Sequence, residues 1–120
     1  MHGNPKKPPK RDMVVEARRA VKSGSAFIDD AKFAMMDGDL RYAIGFADDA
    51  VRKLAYARGI AETILSVKRN TDEQVVDLAE IIDDVDELMN EALLMRAQVL
   101  RRIPWPEITA TNPIKRRAMR

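Results

Sequence analysis

Apolar positions along this chain recur at alternating steps of three and four, in three long runs separated by two short polar breaks. In the first run the small or apolar positions are Val14, Ala17, Val21, Gly24, Ile28, Ala31 and Met35. One face of an α-helix carries all of them. Asp12 precedes the run and is a residue type that caps helices, so the pattern predicts a first helix from Asp12 to about Met36. Ser23-Gly24-Ser25 breaks its continuity with weak helix formers. A kink, a short break or a very close helix contact is expected there.

Asp37-Gly38-Asp39 compresses a stop and a start into three residues. Gly38 suits the left-handed conformation just past a helix, and Asp39 suits the cap of the next one. So short a connection turns the second helix back against the first. The second run, from about Leu40 to Lys68, puts Leu40, Ile44, Ala47, Val51, Leu54, Ala61 and Leu65 on one stripe, with Arg58 interrupting it. Gly45 and Gly59 each cost about 1 kcal/mol relative to alanine inside a helix. With the neighbouring alanines they predict a helix packed close on its neighbours; the alternative is a helix ending at Gly59 and a separate short one after it.

Asn70-Thr71 marks the next boundary. Thr71-x-x-Gln74 fits a capping box, and Asp72 and Glu73 sit where the helix dipole favours negative charge. The third run extends to about Arg102, with Val75, Leu78, Ile82, Val85, Met89, Ala92 and Val99 inward and Ile81, Leu88 and Met95 widening the stripe. Pro104-Trp105-Pro106 ends it, because proline cannot continue the hydrogen-bond ladder. The fold predicted is all-α: an elongated antiparallel bundle of about three long helices, residues 13–102, with extended tails at 1–12 and 103–120.

Composition supports that class. Hydrophobic residues make up 46% and charged residues 33%, but aromatic residues only 5%, which suits close-packed helices better than a β-sandwich. The 120 residues suffice for one domain. No cysteine is present, which removes disulfides, thiolate zinc sites and a cysteine nucleophile. No apolar run approaches the roughly 20 residues of a membrane span. The basic N-terminus has no apolar stretch behind it, unlike a secretion signal. A location in the cytoplasm or within a virus particle is expected.

Charge changes the picture more. Residues 1–12 carry Lys6, Lys7, Lys10 and Arg11 against Asp12, a net of +3. Residues 101–120 carry Arg101, Arg102, Lys115, Arg116, Arg117 and Arg120 against Glu107, a net of +5. With +2 overall, the stretch between them carries −6. The ends are basic and the body acidic.

Candidate chemistry is sparse. Glu73, Asp77, Glu80, Asp84, Glu87 and Glu91 form an acidic stripe on the third helix, expected opposite its apolar face. A di-metal site would want Glu-x-x-His pairs pointing inward, and the sole histidine is His2. A solvated or partner-facing surface is expected instead, one able to receive a basic tail from a neighbouring copy. The doublets Asp29-Asp30, Asp48-Asp49 and Asp83-Asp84 point their side chains about 100° apart on a helix, so they are not paired acid/base devices. Ser23, Ser25 and Ser66 have no histidine to complete a triad, and neither glycine-rich phosphate motif occurs. No catalytic residue, metal ligand or cofactor site is assigned.

Binding residues are assigned to the ends. Trp105, followed by Ile108 and Ile114, is an apolar anchor on a proline-stiffened segment, suited to docking in a groove with little entropy left to lose. The alternative is that Trp105 folds back on the end of its own bundle. Lys6, Lys7, Lys10 and Arg11, and Lys115, Arg116, Arg117 and Arg120, are the candidate contacts to nucleic acid or another anionic partner.

The run DDAKFAMMDGDLRYAIGFADDAVRKLAYARG, residues 29–59, resembles the helix-Gly-Asp-helix hairpin of HEPN-like and DUF357-like archaeal helical proteins. It covers about a quarter of the chain, and small residues around a Gly-Asp turn also occur in tetratricopeptide hairpins. HEPN nucleases carry an arginine followed a few residues later by a histidine. No such pair occurs here, so the resemblance carries over no RNase activity.

These readings favour a non-enzymatic structural or adaptor subunit of a larger assembly, such as a virion or ribonucleoprotein particle. Its partners would be proteins, in a homo-oligomer or hetero-complex. The alternative is a small basic-tailed regulator that binds RNA or DNA.

Overall fold

In a computed structural model, residues 10–67 and 70–103 are described, and they form three helices. These are α1 (Lys10–Met36), α2 (Leu40–Leu65) and α3 (Asp72–Arg102), with no strand among the described residues. The expected all-α bundle is present. α1 pairs most extensively with α2, α2 then with α3, and α1 and α3 share the least contact. At 31 residues α3 is roughly 46 Å long.

α1 starts at Lys10 rather than Asp12, so the expected N-cap lies in the first turn, where its carboxylate complements the helix dipole. The expected tail 1–12 therefore gives its last residues to the helix. α1 ends in a Schellman motif. Gly38 takes φ of 79°, its N–H reaches the Met35 carbonyl at 3.1 Å, and the Asp39 N–H reaches the Ala34 carbonyl at 2.8 Å. Asp39 stands at the N-cap of α2, but its side chain makes no capping hydrogen bond; its carbonyl accepts the Ala43 N–H at 3.0 Å.

α2 runs unbroken through Gly59 and stops at Leu65, short of the expected Lys68. The Asn70 side chain closes its C-terminal end, donating to the carbonyls of Ile64 at 3.0 Å and Val67 at 2.8 Å. At α3 the capping box is complete. The Thr71 hydroxyl accepts from the Gln74 N–H at 3.1 Å, and the Gln74 side chain accepts from the Thr71 N–H at 2.8 Å.

α2's buried line keeps Ala47, Leu54 and Ala61 of the expected stripe and differs in the rest. Ala43, Ala47, Ala50, Leu54, Ala57, Ala61 and Ile64 are buried, while Leu40, Ile44, Val51 and Leu65 are half-buried on its flanks. α2 lies between two neighbours, and small residues at its centre let the backbones close in while larger side chains fill the sides. From α1, Ala17, Ala20, Gly24, Ile28, Ala31 and Ala34 are buried in the same core. The helix runs unbroken through Ser23–Ser25, and Gly24 makes the close contact. A Cβ at Gly24 would sit 2.7 Å from Leu54 Cγ and Cδ2. Gly45 and Gly59, by contrast, face open space and take no part in close packing.

α3 contributes Leu78, Ile81, Val85, Ala92, Met95 and Val99, and Val75 stays outside at 42% exposure. Ile103, just past the helix, is buried and donates its N–H to the Val99 carbonyl at 3.1 Å, so the packed body extends one residue into the expected tail. Among the described residues no polar or charged side chain is buried. The core of the described residues is apolar, and their ion pairs lie between half-exposed side chains at its edge.

Candidate functional site

Two surfaces stand out from this body: an aromatic one at the hairpin end and an acidic one along α3. The first surrounds the Gly38 turn. Phe33 and Tyr42 are 66% and 67% exposed, and Met36 is 81% exposed. Beneath them Phe27 of α1 stacks on Phe46 of α2 with ring centroids 6.4 Å apart, and Tyr42 tilts against Phe46 at the same distance. Phe27 and Phe46 are half-buried. Asp30, Phe33, Asp37, Asp39, Tyr42 and Phe46 bound an open groove between α1 and α2. The floor is aromatic and the rim carries three carboxylates.

On the other side of α1's last turns lies a second groove, formed by Met35 and Met36 of α1 with Met95, Gln98 and Arg102 of α3. The end of α3 therefore stands beside the end of α1. The same bundle end holds both grooves and the end of α3.

The acidic surface is α3 itself. From Asp72 to Glu91 it has nine carboxylates and no basic residue. The stripe does not lie opposite the apolar face as expected; it borders the seam with α1. Asp77 pairs with Arg18 at 3.7 Å, Glu91 pairs with Lys32 at 2.7 Å, and Asp84, Glu87 and Glu91 edge an open groove with Val21 and Lys22. The reason is the low contact between α1 and α3, which leaves this flank of the helix free for charge. Glu91 accepts a hydrogen bond from the Lys32 ammonium, and with Asp29 nearby it raises the lysine above its ordinary value of 10.5.

Toward α2, α3 pairs Asp86 with Arg58 at 2.5 Å and Arg96 with Asp48 at 2.8 Å. Arg58, which interrupted the apolar stripe, thus sits at the helix boundary and also reaches Glu62 at 3.5 Å. Of the acidic doublets, Asp48 and Asp49 are split between partners, Asp49 pairing with Arg52 at 2.6 Å. Asp83 and Asp84 make no ion pair among the described residues.

No group of three or more His, Asp or Glu side chains able to hold a metal ion occurs among the described residues. No helix among them is long and apolar enough to cross a membrane. Lys10 and Arg11 fall in the first turn of α1. Lys6, Lys7, Trp105, Ile108, Ile114, Lys115, Arg116, Arg117 and Arg120 lie outside the described residues.

The aromatic surface was missed by periodicity because Phe33 and Tyr42 fall off the apolar stripes. A signal existed in composition: all three phenylalanines and one of two tyrosines fall between positions 27 and 46. Comparison with protein-family models, curated proteins and solved structures finds no match to this chain.

Proposed function

We propose that this chain is a non-enzymatic structural or adaptor subunit of a larger assembly, such as a virion or a ribonucleoprotein particle. The three helices are the rigid body, and the basic ends dock on neighbours. The observation that carries this reading is the aromatic surface at the hairpin end. Phe33 and Tyr42 stay mostly outside the core and line one groove beside the Gly38 turn, and Met36 is exposed at the same helix end. Clustered large apolar side chains on a surface are a mark of a contact with another molecule.

Charge supports a protein partner for the body. The nine carboxylates of α3 between Asp72 and Glu91 repel a polyanion, so nucleic acid would meet only the ends. Light scattering on the full chain and on a form lacking residues 1–9 and 104–120 tests the reading. The shortened form keeps the helical circular dichroism and stays monomeric, while the full chain associates. Equal association of the two forms overturns the proposal. A full chain that stays monomeric but binds RNA or DNA with steep salt dependence, through Lys115, Arg116 and Arg117, replaces it with the nucleic-acid regulator.

A further inference from the structure

We propose that the acid-rimmed aromatic groove between α1 and α2 receives the C-terminal segment, residues 104–120, of a second copy of this chain. The inference rests on the assembly reading above and names both sides of the contact.

Chemistry matches the two sides. The groove offers Phe33, Tyr42 and Phe46 as an apolar floor. Asp30, Asp37 and Asp39 stand exposed at its rim, and none makes an ion pair among the described residues. The segment carries Trp105, Ile108 and Ile114, followed by Lys115, Arg116, Arg117 and Arg120, with Glu107 as its one acid. Its apolar side chains suit the floor and its net +3 suits the rim. Aromatic pairs contribute beyond the area they bury, and opposite charges fix register and speed encounter.

Geometry favours a second copy over the chain's own segment. No α3 residue lines the aromatic groove, whereas the methionine groove on the opposite side of α1 is lined by α3 up to Arg102. α3 ends with Arg102 in the methionine groove, so a segment of the same copy would have to round the end of α1 to reach the aromatic one. A neighbour facing this bundle end meets no such obstacle. Seventeen residues extend to about 56–61 Å, ample to cross between two facing ends.

Donor and acceptor share one end of the molecule, so two copies set end to end exchange segments symmetrically. Such a contact closes at two copies and does not propagate into a fibre. The N-terminal end, where α1 begins, stays free for other partners.

Trp105 is the only tryptophan, so its emission reports on this contact directly in the full chain. As concentration rises, sedimentation shows monomer passing to dimer and the emission shifts to the blue in parallel. Phe33→Ser with Tyr42→Ser moves the midpoint to higher concentration by at least about tenfold without loss of helicity, because both side chains are mostly outside the core. Arg116→Glu with Arg117→Glu weakens the dimer likewise, and adding Asp30→Arg and Asp37→Arg restores it. Blue-shifted emission from a monomer at every concentration overturns the proposal in favour of the chain's own groove. A dimer indifferent to Phe33→Ser and Tyr42→Ser overturns this surface while leaving the assembly reading intact. A monomer with water-exposed Trp105 throughout overturns this pairing, and the assembly reading is then decided separately by the truncation experiment.

Discussion

Gly24 of α1 lies directly against Leu54 of α2: a Cβ on the glycine would come within 2.7 Å of two Leu54 carbon atoms and 3.5 Å of the Ala50 carbonyl. Leu54 is fully buried, so it has no free rotamer to move into. Gly24→Ala gains about 1 kcal/mol in helix propensity, but overpacking of this kind costs roughly 1–3 kcal/mol. Net destabilisation is expected, read as a lower denaturant midpoint. In the double variant with Leu54→Ala, the combined loss is smaller than the sum of the single losses, because the clash and the cavity offset each other.

Gly45 and Gly59 make the opposite case. Each is helical and exposed, and a methyl group there meets nothing within 4 Å. Gly45→Ala and Gly59→Ala each stabilise the protein by roughly 0.4–1 kcal/mol, through a less flexible unfolded chain and better helix propensity. Thermal melts of the three glycine variants should therefore split, one downward and two upward.

That split shows what the sequence could and could not convey. Helix count, the Gly38 turn and the Thr71 boundary were legible because each rests on local chemistry: left-handed backbone, side-chain capping and three–four periodicity. Which glycine packs and which faces water depends on the neighbouring helix, and all three look alike locally. The same reason hid part of α2's buried line. Ala43, Ala50 and Ala57 carry little hydrophobic weight, yet they are buried because α1 approaches closely. The acidic stripe was legible as a stripe, but its place beside α1 follows from the unequal packing of the three helices. The aromatic groove needs two helix ends brought together, which no single-helix pattern encodes.

The ion pairs on α3 share one register. Arg18 and Lys32 of α1 stand two heptads apart, as do their partners Asp77 and Glu91, which fits parallel neighbours. Asp48 and Arg58 of α2 stand ten residues apart, as do Arg96 and Asp86 in reverse order, which fits antiparallel ones. All are about half-exposed, so each contributes roughly 0.2–1 kcal/mol. Arg58→Glu destabilises more than Arg58→Ala, and Asp86→Arg added to Arg58→Glu recovers part of the loss. Unfolding at low and high salt checks this, since the recovery shrinks as salt screens the pair.

The Thr71–Gln74 box satisfies two backbone donors around the start of α3, and no other element among the described residues supplies them. Thr71→Ala is expected to cost about 1 kcal/mol, and Thr71→Ser much less because the hydroxyl survives. Hydrogen exchange should show the change first at the amides of the first turn of α3, before the core of the helix responds.

Lys32 supplies a pH test of the α1–α3 seam. Its hydrogen bond to Glu91 and the surrounding negative charge raise its value in the folded state above 10.5. The proton is held more tightly in the folded than in the unfolded chain, so this contribution is complete below about pH 10.5 and is lost as pH rises through the higher folded value. Both side chains are about half-exposed, and water screening limits the effect to a few tenths of a kcal/mol. Lys32→Met removes the titrating group while keeping much of the side chain's apolar length. The difference between the two proteins isolates this one group and is the useful quantity. In urea unfolding at pH steps from about 8 to 12, the native chain's excess stability stays level at first and declines only above 10.5. A decline that begins at neutral pH would place the stabilisation in another group and leave the Lys32–Glu91 contact energetically idle.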